Sequence, residues 1–266
     1  MNTYLKAALP MIPGASRLPF VAGGGGEIPS VELQSTATVD ADDLARYARV
    51  CGFRLSDELP PTYPHILAFA LHMRLMTSGD FPFPAVGLVH IENAITQHRP
   101  VRLGEELELR VTPTKAEPHP KGQRFSIETQ ARVGRELVWE ETSTMLRRGK
   151  GSGDGEREAF EVPETTAEWR LPGDLGRRYA AVSGDSNPIH MYPLTAKAFG
   201  FDRPIAHGMW TKARALAALR LPDAFTVHVR FKKPVFLPGT VRFGSTDDRF
   251  AVTSRKGATH LEGRIA

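Results

Sequence analysis

Residues 225–231, FTVHVRF, alternate without a break. Phe225, Val227, Val229 and Phe231 share one face and Thr226, His228 and Arg230 the other, the pattern of a strand with one buried side. Further runs at about 240–243, 250–254 and 259–265 predict three more strands of an antiparallel set. The helical signals differ. Residues 63–76 and 209–220 have the alanine- and leucine-bearing composition of helices, the second closed by Pro222. Residues 179–182 read as the end of a shorter helix, stopped by the turn formers Gly184, Asn187 and Pro188.

The same order of signals occurs twice. Tyr47-Ala48-Arg49-Val50-Cys51-Gly52 aligns with Tyr179-Ala180-Ala181-Val182-Ser183-Gly184, Arg99-Pro100-Val101 with Lys233-Pro234-Val235, and Arg124-Phe125 with Arg249-Phe250. Three landmarks in register predict an internal duplication. Glycine-rich stretches mark the boundaries: 23–26 closes an N-terminal extension over 1–30, and 149–164 links a first half at 31–148 to a second at 165–266. Each half then reads as a short helix, a longer helix and several antiparallel strands, an α+β unit in which a sheet wraps a helix. Two copies in one chain supply both partners of a dimer.

Composition narrows the setting. The chain has 266 residues, 24% of them charged and 41% hydrophobic, as in a soluble globular protein, and no run reaches the ~20 apolar residues of a membrane span. Pro10 and Pro13 interrupt the apolar N-terminal patch, which makes it a poor signal peptide. The single cysteine, Cys51, excludes an internal disulfide framework and a cysteine zinc site, so a cytoplasmic setting is expected. A net charge of +4, scattered along the chain, gives no case for nucleic acid and suits a phosphate-bearing small molecule as well.

Candidate chemistry concentrates in the second half. Asp185 and His190, five residues apart across a proline-containing turn, are able to share one water molecule or substrate hydroxyl and exchange its protons. Equally, Asp185 caps the turn and His190 is a satisfied core histidine. Two such ligands with no third make an incomplete metal set, so no metal is expected. Gly208 opens the longer helix, where unpaired N–H groups form a candidate oxyanion hole or where glycine simply relieves crowding. Ser183, Asn187, His207 and Met209 are candidates for binding or orienting a substrate, with turn formation and packing as their structural roles. Covalent serine chemistry at Ser183 is not expected, because no GxSxG elbow is present. At the aligned position of the first half, Phe53 stands where Asp185 does, and Glu58 falls near His190 without a similar turn. Ser78-Gly79-Asp80-Phe81-Pro82 follows the long helix instead of preceding it and lacks Asn and His, which makes it a decoy. A single site is expected, built in the second half and shaped by the first.

The run from Tyr179 to His190, YAAVSGDSNPIH, resembles the hydratase 2 motif of MaoC-like, R-specific enoyl-CoA hydratases, and Ala206-His207-Gly208-Met209 resembles the segment that opens their central helix. A degenerate copy before an active one is similar to the double hotdog hydratases and to bacterial 3-hydroxyacyl-thioester dehydratases. Residues 60–64, PPTYP, and 90–100, HIENAITQHRP, are similar to that group too. The resemblance implies a double hotdog fold and reversible hydration of a trans-2-enoyl thioester to the R-3-hydroxyacyl thioester. It implies Asp185 and His190 on the water, the Gly208 N–H on the thioester oxygen, and no metal or redox cofactor. It also implies an acyl-CoA or acyl carrier protein substrate with a medium or long chain running between the halves. Arg230, Lys232 and Lys233 are candidates for the carrier's phosphates or a solvated strand face. Tyr192 departs from the family's Asp or Ser, which bears on local hydrogen bonding. The chain acts as a monomeric pseudo-dimer or pairs again. Two other readings keep the fold: a thioesterase, and a non-catalytic acyl-binding subunit.

Overall fold

The computed structural model describes residues 27–85, 87–152 and 159–266. Residues 1–26 of the expected extension and the middle of the 149–164 linker lie outside the described residues. The elements in chain order are β1 (Leu33–Thr38), α1 (Ala41–Cys51), α2 (Tyr63–Met76), β2 (Leu88–Gln97), β3 (Glu106–Pro113), β4 (Glu117–His119), β5 (Gly122–Val133) and β6 (Glu136–Arg148). There follow β7 (Thr165–Leu171), α3 (Leu175–Ser183), α4 (Pro188–Met191), α5 (Pro193–Ala198), α6 (Gly208–Leu216), β8 (Phe225–Phe231), β9 (Gly239–Ser245), β10 (Arg249–Ser254) and β11 (Thr259–Ile265).

The strands form one 11-stranded sheet in the order β1-β3-β5-β6-β2-β8-β11-β10-β9-β7, with β4 on β5. That order is a palindrome. Read outward from the middle, β2, β6, β5, β3 and β1 answer to β8, β11, β10, β9 and β7, which is the double hotdog arrangement within an α+β fold. One detail differs from the expectation of two sheets: they are continuous, because β2 and β8 pair from Glu92↔Arg230 to Gln97↔Phe225. The joint gives each strand's outer backbone groups a partner that an open edge would lack.

Local chemistry explains the elements. In β8, Phe225, Val227 and Val229 are buried as the alternation requires, and Phe231 at the strand's end is only partly covered because it faces a cavity. Asp40 caps α1 by accepting from the backbone N–H groups of Asp42 and Asp43 at 3.0 Å. Both α1 and α3 stop at a glycine in the left-handed region, Gly52 at φ 82° and Gly184 at φ 74°. Tyr47 and Tyr179, one on each helix, bring their rings to 6.2 Å, so the two repeats meet at equivalent residues. Phe53, directly after Gly52, stacks on Tyr47 with centroids 6.5 Å apart, an apolar contact at the position of Asp185 in the other half.

The structure departs from the pattern in three places. The edge strands β1 and β7 carry short or polar side chains, Gln34 to Thr36 and Thr165 to Thr166, so that the apolar alternation of β7 is confined to Ala167, Trp169 and Leu171. The turn after Asn187 is a one-turn helix, α4, followed directly by α5, because Pro188 and Pro193 each occupy a first helical position where no N–H is needed. Helix α6 ends at Leu216, short of Arg220, where its last turn tightens through Ala218 N–H to Ala215 O and Leu219 N–H to Leu216 O.

Candidate functional site

The loop from Ser183 to Ile189 holds its shape by letting each polar side chain serve the backbone ahead of it. Ser183 Oγ accepts from Asp185 N–H at 3.2 Å, Asp185 Oδ1 from Asn187 N–H at 3.1 Å, and Asn187 Oδ1 from Ile189 N–H at 3.3 Å. Ser183 and Asn187 thus shape the turn, and Asn187 also caps α4. The other oxygen of Asp185 lies 3.8 Å from His207 Nε2, and the side chain keeps 27% exposure.

His190 is buried, and its Nδ1–H donates to the carbonyl of Ile205 at 2.7 Å. A carbonyl only accepts, so the tautomer is fixed and Nε2 carries the lone pair. His207 stacks on His190 with ring centroids 3.7 Å apart, and its Nε2–H donates to the backbone oxygen of Asp185 at 2.9 Å. It therefore braces both partners. Asp185, His190 and His207 each present an atom within 4.8 Å of the others. The fold thus brings a third ring, His207, to the two residues that sequence spacing left as an incomplete set, and it gathers His65, His72 and Glu141 in the same way; His207 Nε2 spends its hydrogen on Asp185 O.

Gly208 is the first residue of α6, where no helical carbonyl precedes its N–H. It lines a cavity of about 480 Å³ together with Ser183, Asp185, Asn187, His190 and Met209. A Cβ at Gly208 would meet the Phe231 ring at 3.1 Å. Lys232 and Lys233 line the same cavity. Arg230 does not: it pairs with Glu92 at 3.5 Å. Tyr192 lies outside the lining, 52% exposed, with the Arg177 guanidinium 5.1 Å from its ring.

The first half supplies part of the wall that residue reading had not singled out, including His65, Phe69, His72 and His90. His65 and His72 are seven residues apart on α2, a two-turn spacing that puts both on one face and was readable in principle. Behind them lies a buried polar chain. His65 Nδ1 meets Glu141 Oε2 at 2.9 Å, Asn93 Nδ2 donates to Glu141 Oε1 at 2.6 Å, and Lys212 Nζ from α6 donates to Asn93 O at 3.2 Å and to its side-chain oxygen.

Burial controls these charges. Desolvation, helped by neighbouring His207, holds His190 down to about 3, and desolvation also lowers His207. His90 is lowered to about 3 and His72 to about 4, again chiefly by burial. Burial alone would raise Glu141, but His65 and Asn93 bring it down to about 2, while burial brings Lys212 to about 7. His72, His90, His190 and His207 are held toward the neutral form in the folded chain, whereas in an unfolded chain each protonates near pH 6.5. Stability is unaffected by them above that pH and falls as pH drops toward 4, because the unfolded state then binds more protons. The melting temperature is expected to decline steadily from pH 7 to pH 4.5 in a thermal melt followed by circular dichroism. A flat profile would contradict the neutral burial of these rings.

The family described as MaoC like domain matches residues 156–256. Over its whole length the chain is 37% identical to 3-hydroxyacyl-thioester dehydratase X of Mycobacterium tuberculosis, with 97% of that protein covered. It is 26% identical to the peroxisomal enoyl-CoA hydratase 2 of Arabidopsis thaliana, over 68% of this chain and 64% of that one. Among solved structures, that of HtdX of Mycobacterium tuberculosis superposes with a TM-score of 0.79 at 36% identity, covering 88% of this chain and 99% of that chain.

Proposed function

Because the chain belongs to the MaoC-like dehydratase family, we propose that it is a hydro-lyase that adds water reversibly across the C2=C3 bond of trans-2-enoyl thioesters to give R-3-hydroxyacyl thioesters. The observation that carries this reading is the pairing of Asp185 with a His190 whose tautomer is locked by Ile205 O, both lining the cavity that Gly208 opens onto.

In the hydration direction, water lies between the Asp185 carboxylate and His190 Nε2. As its oxygen bonds to C3, an O–H bond breaks and the pair takes the proton; the π electrons move toward the thioester, and a proton from the same pair reaches C2. A ring lowered to about 3 does not store that proton, so it passes on within the turnover. The Gly208 N–H and the positive end of α6 face the oxygen on which negative charge gathers. The thioester carbonyl itself acidifies C2, and the reaction written this way needs no cofactor. Ser183 and Asn187 fix the loop, His207 orients the pair, and Met209 borders the acyl group.

On this reading residues 165–266 form the catalytic half and 31–148 a half that lost the acid at Phe53 and widened the acyl site. Lys232 and Lys233 at the cavity favour a phosphate-bearing carrier, coenzyme A or an acyl carrier protein. The expected setting is cytoplasmic, and among the described residues no helix is long and apolar enough to cross a membrane. A trans-2-enoyl-CoA series, short to long, followed by ultraviolet absorbance and chiral product analysis tests the proposal. Loss of conjugation with the R-3-hydroxy product is expected, the medium and long chains reacting best. Release of free thiol would point to a thioesterase instead, and binding without turnover to a carrier subunit.

A further inference from the structure

The cavity is not a plain hydrocarbon channel. From the first half it is lined by Ile66, Phe69, Met73, Met76 and Met145, which suit an alkyl chain, but also by His65, His72 and His90. His90 Nε2 is buried with no hydrogen-bond partner. His65 and His72 each spend one ring nitrogen on the wall, Nδ1 on Glu141 at 2.9 Å and Nε2 on Thr129 at 2.7 Å, and their rings meet edge to face at 5.4 Å. The buried Lys212–Asn93–Glu141 chain fixes His65 from behind.

These imidazoles stand one aromatic ring beyond the proposed reaction centre. Phe231 touches both sides, with His90 4.9 Å from its ring and the Gly208 Cβ position 3.1 Å from it. Phe69 does the same, 6.1 Å from the His65 ring and 3.9 Å from the Gly184 Cβ position beside Asp185. A thioester carbonyl held at Gly208 with its chain directed into the first half would pass the two phenyl rings and the three imidazoles. An unbranched alkyl tail leaves the buried nitrogen of His90 without a partner, and a buried polar group in that state is penalised.

We propose that His65, His72 and His90 form a polar subsite for a neutral oxygen substituent, a hydroxyl or ketone, carried on the tail of the acyl chain, so that the preferred substrates are oxygenated acyl thioesters. This rests on the acyl-thioester reading of the cavity. A neutral group is specified because a carboxylate on the tail would be brought up to the wall that the buried Glu141 carboxylate backs, 2.9 Å behind His65. A site built to hydrogen-bond an oxygen discriminates strongly against the analogue lacking it.

The test uses saturated acyl-CoAs, which bind without reacting: decanoyl-CoA and its hydroxy and oxo derivatives, the oxygen moved stepwise from about C5 to C9, with Kd measured by calorimetry on the wild-type chain. At one or two adjacent positions the oxygenated ligand is expected to bind at least ~10-fold more tightly than decanoyl-CoA. His90→Phe, which keeps the ring packing on Phe231 and removes the nitrogen, is expected to weaken that ligand and tighten decanoyl-CoA, erasing the preference. Affinities equal within threefold across the wild-type series overturn the proposal without bearing on the hydratase reading. The same position-dependent preference with no hydration of any enoyl-CoA would overturn the hydratase reading and leave the subsite standing. No binding of any member overturns both.

Discussion

Asp185→Asn is expected to lower kcat about 10³-fold, within the range that a positioned acid or base contributes, while moving the melting temperature little. The substitution keeps the turn, since an amide oxygen accepts the Asn187 N–H as Asp185 Oδ1 does at 3.1 Å. His207 still donates to the backbone oxygen of residue 185, so the stacked pair of rings stays in place. What is lost is a group able to take and return a proton opposite His190 Nε2. KM changes little if the carboxylate acts in the transition state and not in holding the thioester. Steady-state hydration of an enoyl-CoA, with a melt on the same sample, measures both quantities. Activity within tenfold of the wild type would remove Asp185 from the chemistry.

Gly176→Ala is expected to destabilise the protein by about 2 kcal/mol or more and to reduce kcat by about 10²-fold. Helix propensity alone says the opposite, that alanine in α3 stabilises by about 1 kcal/mol. The local geometry decides against it. A Cβ on Gly176 would lie 1.9 Å from the carbonyl oxygen of His190 and 2.9 Å from its carbonyl carbon. Both are backbone atoms, so α4 must move as a whole, and with it the ring that Ile205 O holds in one tautomer. Small displacements of a positioned base carry large rate penalties. Circular dichroism melts and kcat on the single variant test the point: a raised melting temperature would show that the helix and α4 are not in contact as described.

The legible part of this chain was its local chemistry. The alternation in FTVHVRF, the helix over 63–76 and the turn residues around Asp185 all act within a few residues, and a reader of the sequence meets them together. The illegible part depends on distance along the chain. His65 and His72 come from α2 and His90 from β2, and only the folded sheet brings them to one wall, with Glu141 of β6 behind His65. Lys212, in the alanine-rich helix, is fully buried, and Asn93 on the other half gives its Nζ two oxygens that no local pattern announces. The first halves of β1 and β7 defeat pattern reading for another reason: as edge strands they bury little, so selection for apolar alternation there is weak. His207 was visible as a residue but not as the brace of both Asp185 and His190, since a ring stack at 3.7 Å is a tertiary fact.

The seam between β2 and β8 has a consequence for what this chain is free to become. In an assembly of two identical chains, every substitution is copied into both members, and an interior cannot be remodelled on one side without remodelling the other. Here the same pairing, Asn93 against Val229 and Glu92 against Arg230, joins stretches of a single polypeptide. Each substitution is felt once. Phe53 stands opposite Asp185 in the repeat without displacing it, and three histidines line one half with no obligation to appear in the other. The joined sheet has freed one twin from resembling its sibling.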